Sequence, residues 1–412
     1  MADADRERRI FRFFVAGVIA VVFLQKLCLP GNIEVAFPIE VAGLMLLFAT
    51  IGVSFNVTRV LLYSLFCLLA VSSQLLQGHP FSFPSLMMAL GVYFPFCVEY
   101  KVSAETYRRC LRFFLNVMLV IVVIVIIEDA VQFAIGSKYW VNLDNIIPSE
   151  LQFKNFAYIR AMAWKSAYLK PNGIFFVEVS VLSQFLALAF VIELRYFQRP
   201  WLLVLFLGTL LITFAGTGLL LLLACAPFMV LRLSPRMAVA MLVLGAMIAV
   251  IAIQTGWYTT ITSRFAEFDT YGRSGNSRFV LPWVQLVEFA KSPSAAFIGT
   301  GAGTLPQLHA EVWWPITKAS VEYGFATGLA LYLFLIVSMF QGAHDKVVSL
   351  GFLIFYSFLN GSFIVPYVSV TCVLFCTLMR IRSEEEEGSR AGAFVPAPRP
   401  FGAAMAPRAG RA

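Results

Sequence analysis

The stretch Arg273-Ser-Gly-Asn-Ser-Arg278 sets two guanidinium groups around a flexible polar turn. Each planar fork can give a phosphate two parallel hydrogen bonds, and the turn adds backbone amides, so the pattern suits phosphate oxygens. Further cations stand nearby in sequence, Arg264 before and Lys318 after, and an earlier polar stretch carries Arg160 and Lys170. Together they suit an anionic ligand. Glu178, His309 and Glu322 have the chemistry of a general base or acid. Glu178 follows the Pro171-Asn172-Gly173 break, about five residues into an apolar run, where a carboxylate is costly unless it faces a cavity or a partner. Each feature also has a plainer reading. A polar turn can simply be solvated, and a lone histidine is more often structural than catalytic. Lys318 and Glu322 stand one helical turn apart and can pair with each other. Glu128 and Asp129, late in the preceding apolar run, read as solvated helix ends.

Several other chemistries find no support. Gly299-Thr-Gly-Ala-Gly-Thr304 is rich enough in glycine for tight turns or close backbone approach, yet it lacks the lysine of a phosphate-binding loop. No GxGxxG follows a strand, which argues against an ATP-driven pump and against a nucleotide cofactor. The cysteines at 28, 67, 97, 110, 225, 372 and 376 form no disulfide framework and no metal-ligand spacing, so neither a metal nor any other cofactor is expected. A net charge of +8 is scattered at the ends of apolar runs, where topology signals and lipid headgroups account for it better than nucleic acid does.

The elements that must hold these residues are membrane helices. With 60% hydrophobic and 13% charged residues, and a mean hydropathy of +0.81, the chain cannot hide its apolar surface in one water-soluble core. Apolar segments near 11–29, 36–55, 60–77, 84–99, 111–135, 174–194, 201–215, 217–231, 237–255, 320–341, 347–360 and 363–380 predict an all-α polytopic protein of about twelve spans. The first reads as uncleaved, because no small-residue cleavage site follows it. The interval 201–231 is the ambiguous one. Two short spans there keep Arg195, Arg199, Arg232 and Arg236 on one side, whereas a single helix would split them. With the termini inside, two long outer loops remain, 136–173 and 256–319, and they hold ten of the 31 basic residues. Residues 1–382 then form one membrane domain. The tail 383–412, an acidic run followed by Ala/Pro/Gly-rich sequence, reads as disordered and inside.

Order and spacing carry a resemblance. Arg160, PNGIFFVEVSVLSQFLAL from 171, AGTGLLLL from 215, NSRFVLPW from 276, KSPSAAFIGTGAGT from 291 and KASVEYGFATG from 318 resemble the bacterial O-antigen polymerase and O-antigen ligase superfamily. The similarity covers roughly residues 110–340. It implies a GT-C-like, metal-independent glycosyltransferase of the inner membrane that uses no nucleotide sugar. Its substrates would be undecaprenyl-diphosphate-linked oligosaccharides, extended into O-antigen, exopolysaccharide or capsule at the outer face. Arg160, Arg273 and Arg278 would hold the diphosphate, and a flippase and a chain-length regulator would be partners. Ligases of the superfamily place His-Asn about nine residues before the Glu-x-Gly that opens the next span. Here Trp313 stands at that place and His309 is displaced by four residues, which favours a polymerase over a ligase. A lipid-linked oligosaccharide flippase or other transporter is the rival from another class, but the mid-span regions here are almost uniformly apolar.

The topology is directly testable. Reporter fusions after residues 105, 197, 234 and 385 should report the inside, and those after 150 and 285 the outside. An outside signal at 234 would overturn the pair of short spans.

Overall fold

The computed structural model describes residues 2–52, 54–78, 80–154, 156, 159–162, 167–230, 239, 245–246, 250, 253–254, 269–271, 274–305, 313–359 and 364–382. The chain is mostly helical. Among the described residues three helices are long and apolar enough to cross a membrane: α3 (Val57–Leu76), α5 (Ala104–Ile135) and α6 (Val179–Tyr196). Seven shorter apolar helical stretches accompany them, including α2 (Ala36–Ile51), α4 (Phe83–Tyr93, running on as a 3-10 turn to Cys97), α7 (Pro200–Ile212) and α8 (Gly216–Val230). The helix α1 runs from Ala2 to Phe23.

Burial decides the layout. Every residue of α6 from Val181 to Leu194 is buried, so α6 is the axis, with α5, α7 and α8 packed round it. The outlying α3 instead exposes Leu61, Leu65, Leu68, Leu75 and Leu76. A helix facing water would carry charges on that stripe, so this face suits lipid. At 32 residues α5 is about 48 Å long, more than a hydrocarbon core of about 30 Å, and both its ends therefore reach polar surroundings.

Charges gather at the two ends of the bundle. At the end that carries the amino terminus, β3 (Ser54–Phe55) pairs antiparallel with β4 (Val98–Val102), which pairs in parallel with β5 (Met379–Ile381). Beside this sheet Arg59, at the start of α3, is buried. It donates to the carbonyls of Thr377 at 2.9 Å, Gln341 at 2.9 Å and Phe96 at 3.4 Å, each at the close of another helix. α3 is therefore antiparallel to those helices. Its guanidinium also stands 3.9 Å from Glu99, which Asn56 bonds at 3.0 Å. At the opposite end, the hairpin of β1 (Cys28–Leu29) and β2 (Ile33–Glu34) is tied to the loop that follows α5 by Cys28 N–H donating to the Leu151 carbonyl at 2.8 Å.

The helix boundaries depart from the expected spans in instructive ways. The 201–231 interval does split, with Phe214 in the left-handed region at φ 51° between α7 and α8. The run expected as a span from 174 is helical only from Val179, because Phe176 and Val177 are buried as irregular chain. The run expected from 320 is broken at Gly324, φ +87°, into α11 (Pro315–Tyr323) and the apolar α12 (Phe325–Phe340), after α9 (Ser274–Phe279) and α10 (Leu281–Phe289). The last helices among the described residues are α13 (Lys346–Ile354) and α14 (Pro366–Cys372), each running on into a π-helical turn. Most of the expected span 237–255 and the whole tail 383–412 lie outside the described residues.

Because three helix-end carbonyls share one donor, Arg59→Leu should destabilise the fold by about 3 kcal/mol. Arg59→Lys should do less harm, since it keeps the charge but loses the fork. Thermal unfolding of the two variants in detergent checks both the size and the order.

Candidate functional site

The site is built on the turn that leads into α6. Gly173 and Ile174 are both left-handed, at φ 63° and 64°, a conformation that a β-branched residue adopts only under constraint. The constraint is Glu128, near the end of α5, whose carboxylate accepts the N–H of Gly173 at 2.7 Å and of Ile174 at 3.2 Å. Four residues further along α5, the Gln132 amide both donates to and accepts from the Leu169 backbone at 2.9 Å, and it also donates to Asp129. Glu128 and Asp129 are thus buried fasteners, not the solvated ends that their position suggested. The reason is that a tight turn at the edge of an apolar core leaves N–H groups that need acceptors.

This turn delivers Glu178 to the N-cap position of α6, just before the helix and not inside a span. Its carboxylate accepts from the Ser180 hydroxyl at 2.9 Å and from Arg278 Nη2 at 3.3 Å. Arg278 comes from α9, and its backbone is held in turn: the Trp314 indole N–H donates to the Arg278 carbonyl at 2.7 Å. Trp314 packs edge-on against Phe279, Trp283 and Phe358. The pair is partly open, with side-chain exposures of 20% for Arg278 and 17% for Glu178, so a ligand can reach it.

Two further groups join from distant parts of the chain. The Tyr367 phenol, on α14, lies in the field of Glu34, Glu178 and Arg278. Its own backbone N–H donates to Glu34 Oε2 at 2.6 Å. Glu34 is wholly buried, and that burial pushes its carboxyl well above the ordinary range, with the Tyr367 N–H opposing. Sequence reasoning singled out neither residue. The one available signal was a carboxylate at 34 lodged between apolar runs.

The other expected site residues do not all gather here. Arg160 is exposed, and its carbonyl accepts the Lys170 N–H at 2.8 Å across a bridge pairing Ala161 with Leu169. Lys170 Nζ donates to the Phe214 carbonyl at 3.0 Å, tying the loop to the α7–α8 turn. Lys318 stands 3.8 Å from Glu322, so the two do pair along α11. Glu322 is buried beside the backbone N–H groups of Gly303 and Leu305, its own carbonyl accepts the Gly301 N–H at 3.1 Å, and a Cβ on Gly299 would collide with its backbone. The glycine-rich loop is therefore wrapped round Glu322, an anchoring role for this residue. His309, Arg264 and Arg273 lie outside the described residues. Among the described residues no three His, Cys, Asp or Glu side chains are grouped to hold a metal ion. No protein-family model matches this chain, and no curated protein does either.

Glu322 lies before the Gly324 break, outside the apolar helix α12. Burial raises its carboxyl from 4.5 to about 7, against the opposing pull of Lys318 and the two loop N–H groups. Below pH 4.5 the folded and unfolded chains both hold this proton. Between there and about pH 7 the unfolded chain releases it first, so stability falls as the pH rises through that window and then levels off. The limiting slope is about 1.4 kcal/mol per pH unit. Glu322→Gln should flatten this slope in a pH series of thermal midpoints, and an unchanged slope would show that the carboxyl is ordinary.

Proposed function

We propose that this chain is a membrane glycosyltransferase that polymerises a surface polysaccharide, joining repeat units carried on undecaprenyl diphosphate at the outer face of the bacterial inner membrane. The observation that carries the reading is the Glu178–Arg278 pair, partly open where the turn into α6 meets α9. The resemblance in order and spacing of the segments from Arg160 to Gly328 supplies the substrate class. In this reading about twelve spans carry the chain, with both termini in the cytoplasm. That arrangement agrees with the gathering of Arg59, Arg195, Arg199, Arg380 and Arg382 at one end of the bundle.

The chemistry follows from the pair. An arriving diphosphate competes for the Arg278 guanidinium and loosens its hold on Glu178, which then accepts a proton. The acceptor sugar hydroxyl then attacks the anomeric carbon of the donor, and its proton passes to Glu178. The bond from that carbon to the diphosphate oxygen breaks, and the electron pair leaves with the lipid diphosphate, whose growing charge Arg278 stabilises. Arg160 and Arg273 are the further cations assigned to the diphosphate. Trp314 fixes where the Arg278 backbone sits, which is what a preorganised charge requires.

Glu178→Gln and Arg278→Lys should each lower polymer formation by about a hundredfold or more at normal protein abundance. Arg160→Lys and Arg273→Lys test the other two cations in the same way. The exposed pair Glu288–Lys291 serves as a control that should change nothing. Lipid-linked glycans are sized and exposed to an impermeant glycosidase on spheroplasts. The expected result is single repeat units accessible from outside. Units protected from the enzyme would make the protein a transporter, and accumulated long lipid-linked chains would make it a ligase.

A further inference from the structure

At the end of the bundle that carries the β3–β5 sheet, α1 and α5 lie against each other. The Phe11 and Phe113 rings meet edge-on there, 6.3 Å between centroids, and the Arg109 guanidinium lies 4.2 Å from the Phe11 centroid. Arg8, Arg9 and Arg12 of α1 and Arg108, Arg109 and Arg112 of α5 are all exposed. Little on the same surface balances them. Glu7 is committed to Ser103, Thr106 and Arg382, and Asp3 to Arg382. Asp5 stands 4.0 Å from Arg8, and Glu105 is the other acid of these turns.

The arginines are the first part of a longer stripe. On α5 the exposed residues run Arg109, Arg112, Asn116, Val120, Val123 and Ile127, three or four positions apart and therefore on one face of the helix. Val120, Val123 and Ile127 are each about half exposed, an apolar row that suits acyl chains and not water. The stripe of α1 repeats the order with Arg9, Arg12, Ala16 and Ile19. Asn116 is exposed between the two zones, and its amide bonds to none of the described residues. At about 1.5 Å per residue it lies about 6 Å deeper than Arg112, and Val123 about 17 Å deeper. One leaflet contributes about 15 Å of hydrocarbon, so this stretch of the stripe matches a single leaflet. An amide at such a depth is costly unless something accepts its N–H groups. Guanidinium, amide donor and apolar row thus follow the order of a phospholipid's own parts: phosphate, ester carbonyl and acyl chain.

We propose that the face of α1 and α5 is a binding site for an anionic phospholipid of the adjoining leaflet. The headgroup phosphate sits among the arginines, an ester carbonyl accepts from Asn116, and an acyl chain lies along Val120 and Val123. Guanidinium forks give phosphate oxygens two bonds at a time, and the surplus positive charge disfavours headgroups that carry a cation of their own. The selectivity is therefore electrostatic and sensitive to salt, whereas the depth of the lipid is set by the amide and the apolar row. The inference stands apart from the enzymatic reading, since it uses neither Glu178 nor Arg278.

The test uses the full-length chain in phosphatidylcholine nanodiscs doped with a phosphatidylglycerol that carries a photoreactive diazirine on one acyl chain, or with the matching phosphatidylcholine probe. Phosphatidylglycerol should label the stripe of α5 between residues 116 and 127 about fivefold or more above phosphatidylcholine, and the difference should shrink at about 1 M salt. Arg108→Gln with Arg109→Gln should bring the two lipids to equal labelling. Asn116→Leu should weaken labelling by both lipids and leave the preference between them, because both carry ester carbonyls. Equal labelling of the unaltered chain, or labelling spread evenly over the lipid-facing helices, would overturn the proposal without recourse to any variant. The same probes are then added to membranes of the producing cells. A preference seen in nanodiscs but lost there would also overturn it, showing that an acidic protein holds the face.

Discussion

A single buried guanidinium closes one end of this bundle. Helix ends leave carbonyls without intrahelical partners, and in an apolar surrounding water cannot serve them. Arg59 serves three such ends at once and brings its own charge next to Glu99. The helices ending near Phe96, Gln341 and Thr377 are thereby pinned to the start of α3, and the three-stranded sheet sits directly beside that knot. The positions of the helices at the far end follow from this anchorage, because stiff apolar rods held at one end have little freedom at the other.

The far end solves the same problem with carboxylates. There the unserved groups are N–H donors of turns and loops: Glu128 accepts two of them, and those of Gly303 and Leu305 stand beside Glu322. This division has a chemical consequence for Glu178. It belongs to the same class of carboxylate at the mouth of the bundle, and its partners include a hydroxyl and an arginine guanidinium. An anion can displace an arginine fork, whereas it cannot replace the backbone donors that hold Glu128 in place. Glu178 is thus the carboxylate of the three whose environment a ligand can change.

Much of this was legible in the residues. Apolar runs of helical length announce the helices, and the arginine distribution separates α7 from α8. Helix starts were less legible, because Phe176 and Val177 are as apolar as a span while serving as buried irregular chain. Apolar composition alone cannot distinguish those two uses. The Glu178–Arg278 pair joined two residues that had each been singled out on separate grounds. Glu34 and Tyr367 were out of reach: 333 positions separate them, and neither carries a local pattern that points to the other. Glu128 was visible as a costly charge, but its role depended on a left-handed Gly-Ile turn whose shape only the fold displays.

The parallel pairing of β4 with β5 sets the order in which the molecule can be completed. Tyr100 to Val102 find their partners only at Met379 to Ile381, the last strand described. A chain emerging from the ribosome makes α1 to α5 long before those partners exist. Through most of synthesis the edge of β4 is open and Arg59 lacks the Thr377 carbonyl, so the early helices wait in an assembly with an unsatisfied cation at its base. Arrival of the final segment closes the sheet and the arginine knot in one step. A nascent chain that stalls before residue 377 therefore presents a strand edge and an incompletely bonded arginine together, the two features by which a quality-control protease can tell it from the finished protein.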